Sequence, residues 1–254
     1  MRVRFLGHTS CVPDPGTDTS CLLVNDRVLF DTGWAPVLRM RELGLDPLEI
    51  RGILFSHFHP DHYLGLAQML FMLGLRLPGG AEEPRRQPLI AGPREHLEHI
   101  VQATQAYLQW GRLPQLALNH RLVPTGPGDV LDVDGLRIEV FAANHVSGHG
   151  DPEPALAYRV TEESSGGSFF FSGDTHPCPE LAEPATGVQL LIHDSAHSTP
   201  EQAAETARQA GVEQLILAHL PASACPDAVA RARTIFANAE AAGPNQVIEV
   251  PPPG

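Results

Sequence analysis

The pattern of apolar and polar positions divides the chain into many short strand-like runs and fewer helical stretches. VRFL (3–6), CLLV (21–24) and VLFD (28–31) come first, separated by the turn-forming DPGTD (14–18) and by Asn25–Asp26. GILFS (52–56) is apolar almost throughout, as a strand buried on both faces would be. YLGLAQMLFMLG (63–74) has helical spacing up to Gly74, and the segment 93–110 reads as a helix with Pro93 near its start. Between them, residues 76–90 read as a loop rich in Pro, Gly and charge. DVLDV (129–133), LRIEVFA (136–142) and ALAYRV (155–160) follow as strands, with Asp134–Gly135 as a two-residue hairpin turn. SFFFS (168–172), VQLLIH (188–193) and QLILA (214–218) are core-like strands. The stretch 198–211 carries helix punctuation: Thr199 as cap, Pro200 in the first turn, Gln202 at the capping-box position and Gly211 as the stop. A helix over residues 226–242 and the strand QVIEV (246–250) close the pattern. Each half begins with strands and continues with alternating strand and helix, which predicts two β-rich layers with helices packed outside them.

Composition bounds this picture. The 254 residues are 43% hydrophobic, enough to bury a full core. The expectation is a single domain over 1–254, with a helical and loop expansion at 76–120 that would serve as a lid or as a homodimer surface. A net charge of -13 disfavours nucleic acid as a partner, because polyanion binding needs a basic face, although a local basic groove stays open. No stretch reaches the roughly 20 apolar residues of a membrane helix, and MRVRFLG starts directly on a strand-like run with no apolar leader region. No membrane partner is expected, and the cytoplasm is the expected location. Cys11, Cys21, Cys178 and Cys225 form no CxxC pair, so reduced, mostly buried thiols are expected in place of a thiolate metal site. The distinctive residue is histidine, with 13 copies against 3 Tyr and 2 Trp, which directs attention to metal or proton chemistry.

The chemistry-bearing residues fall at the ends of apolar strands. GILFS leads into HFHPDH (57–62), with His57, His59, Asp61 and His62; EVFAA leads to Asn144–His145, and SFFFS to Gly173–Asp174. QLLI leads to His193, Asp194 and His197, and QLILA to His219. Loops at strand ends are where a rigid sheet presents function, so these loops are expected to meet in one cleft. The HxHxDH spacing lets His57 and His59 reach one ion and lets Asp61 and His62 face a second. Imidazole with carboxylate suits zinc, manganese or iron. Pro60 argues against a helix at this point and would make the bend that separates the two pairs. His96, His99 and His120 are expected on the surface, with His193, His8, His149 and His176 as neighbours of the cleft.

These motifs resemble the metallo-β-lactamase fold hydrolases, in particular the tRNase Z-like branch that includes phosphonate-pathway phosphodiesterases. The resemblance spans nearly the whole chain: RFLGHTSCVPDPGTDTSCLLV, FDTG (30–33), HFHPDH, FSGDT (171–175) and LAHLP (217–221). It implies an α+β fold, a four-layer αβ/βα sandwich of the metallo-β-lactamase type. It implies a dinuclear centre of two divalent ions, zinc first with manganese or iron as alternatives. His57, His59 and His145 would hold one ion, Asp61, His62 and His219 the other, and Asp174 would bridge them, leaving room for a shared hydroxide. Related flavo-diiron oxygen reductases carry glutamate where this chain has His59, so the resemblance favours hydrolysis over redox chemistry. Within HDSAHSTPEQAAETA, Asp194 is similar to a shortened form of the branch's glutamate and His197 to its proton-donating histidine. Asp61, Asp194 and His197 are therefore the candidate catalytic residues.

The resemblance implies a small or cyclic phosphodiester as substrate. The long basic arm with which tRNase Z grips tRNA has no counterpart between His145 and Asp174, and Arg85–Arg86 is the one paired basic cluster in 76–120. A thioester or lactone hydrolase of the glyoxalase II or acyl-lactonase kind, and a tRNA 3′-end endonuclease, are the alternatives among enzymes. A metal-binding sensor or scaffold is the non-enzymatic alternative, disfavoured because all seven expected ligand positions are filled.

Overall fold

The runs VLF and GIL are apolar on both sides because they lie side by side inside a sheet, covered on both faces. The computed structural model describes residues 1–75, 87–146 and 149–254. Its first sheet contains β1 (Arg2–Gly7), β2 (Cys21–Val24), β3 (Val28–Phe30), β4 (Gly52–Leu54), β5 (Leu89–Pro93), β6 (Arg121–Thr125) and β16 (Val247–Glu249), in the order β16-β1-β2-β3-β4-β5-β6. The strands are antiparallel from β16 to β3 and parallel from β3 to β6. The second contains β7 (Val130–Val133), β8 (Leu136–Ala142), β11 (Leu156–Glu162), β12 (Ser168–Phe171), β13 (Leu190–Asp194), β14 (Gln214–Ala218) and β15 (Ala239–Ala241), in the order β15-β14-β13-β12-β11-β8-β7. Here β7, β8, β11 and β12 are antiparallel and β12 to β15 parallel. A two-stranded ladder, β9 (His145–Val146) with β10 (Pro152–Glu153), lies between β8 and β11 in sequence.

The two sheets face each other across a core that includes Val3, Phe5, Leu54, Ile138 and Ile192. The Phe30 ring meets Tyr158, Phe169 and Phe171 edge-on at 5.5, 5.9 and 6.3 Å, the geometry that aromatic quadrupoles prefer. Outside the first sheet, α1 (Pro36–Glu42), α3 (Leu66–Gly74) and α4 (Leu97–Tyr107) bury Met40, Met69, Leu70, Leu97 and Val101. Outside the second, α5 (Pro200–Ala210) and α6 (Cys225–Ala232) bury a row of alanines, Ala203, Ala204, Ala207, Ala228 and Ala232. The result is helix, sheet, sheet, helix: the α+β four-layer sandwich expected.

Several elements carry the signals read from the sequence. Asp134 and Gly135 both have positive φ, 51° and 79°, as a two-residue hairpin turn requires. In α5, Thr199 accepts from Gln202 N and Gln202 accepts from Thr199 N, and Gly211 closes the helix at φ 66°. Other elements differ. The expected helix 93–110 starts only at Leu97, and Pro93 ends strand β5. Leu89–Ile90 therefore belong to a central strand, although flanking prolines gave them the look of a loop. The strand β6 also contains a proline, Pro124, which an edge position tolerates because one side of the strand has no partner. The expected helix 226–242 ends at Ala232, and Ala239–Ala241 pairs with β14, so tertiary pairing overrides the helical preference of ANAEAA. The thiols are free, but Cys21 alone of the four is fully buried; Cys11 is exposed and Cys178 and Cys225 are half-buried. Within the expected loop and expansion, residues 76–86 lie outside the described residues.

Candidate metal centre

Strands β3 and β4, like β12, β13 and β14, are parallel neighbours, so their C-terminal ends open on one edge. The exit of β4 is fixed to the second sheet by Tyr158 Oη donating to Phe55 O at 2.6 Å and Leu156 N donating to Ser56 O at 2.8 Å. Gly173 sits at the junction: a Cβ there would lie 2.7 Å from Leu156 O and 2.8 Å from Ser56 Cβ, at φ +58°. Only glycine lets the loop carrying Asp174 come this close to the loop carrying His57.

HFHPDH folds in two parts. His59 is extended (φ -73°, ψ 145°), and Pro60 opens the four-residue helix α2 (Pro60–Tyr63). Pro60 was expected to exclude a helix, yet it occupies the first helical position, where the missing N–H has no partner to lose. Its constraint falls on the preceding His59, and this is what separates the extended pair from the helical Asp61 and His62. Two other loops hold α2 in place. Thr19 Oγ1 donates to Asp61 O at 2.6 Å, and Thr32 N and Oγ1 donate to His62 O at 2.8 and 3.1 Å. Asp18 in turn accepts from the backbone N–H of Thr19, Trp34 and Ala35 at 2.8, 2.9 and 2.7 Å. The N-terminal loop and FDTG thus act as braces for HFHPDH.

The side chains from the strand ends converge. In each of the sets His57/His59/His145, Asp61/His62/His219, His57/His62/Asp174 and Asp174/Asp194/His197/His219, the potential ligand atoms lie within 4.8 Å of one another. His59 Nδ1 and His145 Nε2 are 3.2 Å apart. Asp174 Oδ2 is central, at 3.3 Å from His62 Nε2, 3.5 Å from His219 Nε2 and 3.8 Å from His57 Nε2. Asp61 Oδ2 lies 3.2 Å from His219 Nε2 and 3.6 Å from His62 Nε2. The seven residues expected to hold metal are therefore gathered in one place, with Asp174 reaching both groups.

Burial and charge fit this donor set to cations. His57 Nε2 is buried without a hydrogen-bond partner among the described residues, an expensive arrangement unless something else occupies its lone pair. Burial keeps His57 neutral by pushing its pKa well below the usual imidazole range, with the surrounding imidazoles adding to the effect. Burial also lowers His145 to about 4, against the opposing pull of Asp174. At the other group burial works against the charged forms but the partners prevail. His219 is raised to about 10 by Asp174, Asp194 and Asp61, His62 is raised well above its usual value by Asp174 and Asp31, and Asp61 and Asp174 are held low by the same histidines. These histidines hold protons where divalent ions would take their place. The His/Asp clusters are compatible with a dinuclear divalent metal site. His219 has φ +63°, a backbone position costing of order 1 kcal/mol or more, of the kind found at functional sites.

His197 and Asp194 stand beside this centre. His197 Nδ1 is 2.9 Å from Asp194 Oδ2 and 3.7 Å from Asp174 Oδ2, and its ring lies 4.9 Å from that of His145. Asp194 also accepts from Ala196 N at 2.8 Å. The hydrogen bond to Asp194 raises the His197 pKa, and His197 with His219 holds Asp194 well below the carboxylate range despite its burial. Of the other histidines, His193 is buried, with Nδ1 2.7 Å from Asp194 O, and lies outside all four sets. His8 lines a small cavity together with Asp174 and His219. His176 borders His197, His149, His96 and His99 are exposed, and His120 is half-buried against Gln105.

Asp31 and Ser56 join the site without a signal in the sequence beyond the FDTG marker, which gives its aspartate no role. Asp31 is fully buried; its Oδ2 lies 2.8 Å from His62 Nδ1, and its Oδ1 accepts from Ser56 N at 2.8 Å. Ser56 Oγ lies 2.9 Å from Asp31 Oδ2 and 3.2 Å from His57 Nδ1. Binding the Nδ1 side leaves Nε2 of His62 facing Asp174. Asp31→Asn should weaken metal affinity by about 10–100-fold, read as zinc occupancy against a competing chelator. Unchanged affinity would refute the orienting role.

The fold and site define a member of a known class. Residues 26–220 match the family model described as a beta-lactamase superfamily domain, and the chain belongs to that family. It is a metal-dependent hydrolase of that superfamily. Among curated proteins it is 28% identical to a ribonuclease Z of Methanothermobacter thermautotrophicus. That alignment of 276 positions covers 87% of this chain and 86% of the relative. Among solved structures, the metallo-beta-lactamase fold protein YhfI of Bacillus subtilis superposes with a TM-score of 0.79 at 19% identity, covering 97% of this chain and 98% of that one. Human tRNase Z, short form, superposes with a TM-score of 0.75 at 21% identity, covering 99% and 100%. No helix among the described residues is long and apolar enough to cross a membrane.

Proposed function

We propose that this protein hydrolyses phosphodiesters at a dinuclear centre. His57, His59 and His145 would hold one ion, and Asp61, His62 and His219 the other, with Asp174 between them. Zinc is the metal proposed, since imidazole with carboxylate is its common donor set, with manganese or iron as the alternatives. Divalent ions there supply Lewis-acid charge stabilisation and lower the pKa of bound water.

The observation that carries the reading is the His197–Asp194 pair beside Asp174. Asp194 fixes the His197 ring through Nδ1 and favours its protonated form, leaving Nε2 to give a proton to a departing oxygen. A phosphodiester's alkoxide is a strong base and needs that proton. A thioester's thiolate, with a pKa near ~8.5, does not. Asp61 joins the second metal group and also keeps His219 in place through Oδ2.

A small or cyclic phosphodiester is the proposed substrate. Residues 145–174 form a short connection, and the net charge of -13 opposes a polyanion whose affinity rests on phosphate contacts. The alignment with the Methanothermobacter thermautotrophicus ribonuclease Z is longer than this chain's 254 residues, so that relative carries segments this chain lacks. Cleavage at an RNA 3′ end is the second reading, favoured by that relative's name. Initial rates on bis(p-nitrophenyl) phosphate, S-lactoylglutathione, an acyl lactone and a precursor tRNA separate them. Turnover of the phosphodiester with neither carbonyl substrate is expected. Exclusive turnover of a carbonyl substrate contradicts the proposal, and a higher kcat/KM on precursor tRNA selects the second reading.

A further inference from the structure

His176 belongs to no candidate metal set, yet it forms part of the wall of the site. Its ring lies 5.2 Å from that of His197 and 5.8 Å from that of His145, on the border between the first metal group and the His197–Asp194 pair. The backbone holds it there. His176 N donates to Asn144 O at 2.7 Å, Asn144 N donates to Thr175 Oγ1 at 3.2 Å, and Asn144 Nδ2 donates to Pro177 O at 3.1 Å. The loop carrying Asp174 is thereby laced to the loop carrying His145, and His176 moves with both. The side chain itself makes no compensating bond: Nδ1 is buried without a partner. A buried donor or acceptor costs about 1–3 kcal/mol when left unmade, so this side chain gains from a partner brought to it.

We propose that His176 is a substrate-positioning residue, donating a hydrogen bond to a non-bridging phosphate oxygen while His197 faces the leaving oxygen. This rests on the phosphodiesterase reading and adds the residue that orients the anion. Two imidazoles with different partners divide the work. Asp194 holds the His197 ring, which suits it to proton transfer, whereas His176 has no carboxylate partner among its hydrogen bonds to described residues and serves as a hydrogen-bond donor. The chemical class this arrangement takes is a phosphate monoanion or diester that lies against the edges of both rings. No bond is made or broken by His176.

The test uses the full, zinc-loaded chain with two readouts: calorimetric binding of inorganic phosphate, and KM against kcat on bis(p-nitrophenyl) phosphate. His176→Ala should raise both the phosphate Kd and KM about tenfold, the usual loss for a hydrogen bond to a charged group, while kcat stays within about twofold and zinc content is unchanged. His176→Gln, which keeps a donor, should recover part of the loss. Unchanged Kd and KM overturn the proposal. So does a fall in kcat with Kd and KM unmoved, which would make His176 a prop for the His197 ring, or a loss of zinc, which would make it a ligand. Phosphate binding that depends on His176 in a protein without diesterase activity would refute the phosphodiesterase reading and the substrate-positioning role together, whereas diesterase activity with Kd and KM unmoved by His176→Ala would refute the positioning role alone.

Discussion

Asp174→Ala is expected to leave the purified protein with far less than two metal ions per chain and to abolish hydrolysis. The reason is geometric. Asp174 Oδ2 is within 3.3–3.8 Å of ring nitrogens from both groups, His62 and His219 on one side and His57 on the other. It would also supply negative charge to offset two adjacent cations in a buried pocket, where unbalanced charge is costly. Removing it should weaken both sites together, with an activity loss well beyond the 10–100-fold typical of residues that only orient ligands. His145→Ala provides the contrast: its contact is with His59 in the first group, so one ion should be lost and the other kept. Elemental analysis per chain reads both variants. An Asp174→Ala protein that keeps two ions would show that the carboxylate does not join the groups.

The second large effect is expected at His197. His197→Ala should retain two metal ions and lose about 10²–10⁴-fold in kcat on an alkyl phosphodiester, the range for a general acid. The loss should shrink on p-nitrophenyl esters, whose leaving group needs little protonation. The pH profile should change in a defined direction. Asp194 raises the His197 pKa, so the acid form is present below that pKa and is lost as pH rises through it. The wild-type rate should therefore fall on the alkaline side, and that limb should vanish in His197→Ala. Loss of metal in the variant would instead place His197 among the ligands, which the Asp174/Asp194/His197/His219 set also permits.

Much of the site was legible because its residues fall directly after apolar strands, and strand ends are fixed by strand patterning. GILFS, LRIEVFA, SFFFS, VQLLIH and QLILA all form strands with small changes at their ends, and the residues that follow them meet at one edge. What stayed hidden depends on contacts between distant segments. Asp31 touches His62 through a loop 31 residues away, and nothing in FDTG says which imidazole nitrogen its carboxylate will meet. Pro60 was misread because the same residue disfavours a helix before it and favours one after it. Leu89–Pro93 and Arg121–Thr125 were missed because their prolines suppress the strand signal, although a strand terminus and an edge position both accommodate them. Ala239–Ala241 is a strand because β14 offers it an edge to pair with, a fact of tertiary structure that an alanine-rich sequence does not contain.

On the proposed function, one chain would assemble a two-metal phosphodiesterase from His57, His59, Asp61, His62, His145, Asp174 and His219. The most direct test is titration of the metal-free protein with zinc while hydrolysis of bis(p-nitrophenyl) phosphate is followed. The rate should be near zero without metal and should reach its plateau at two equivalents per chain. A plateau at one equivalent, or hydrolysis that persists without metal, would contradict the account.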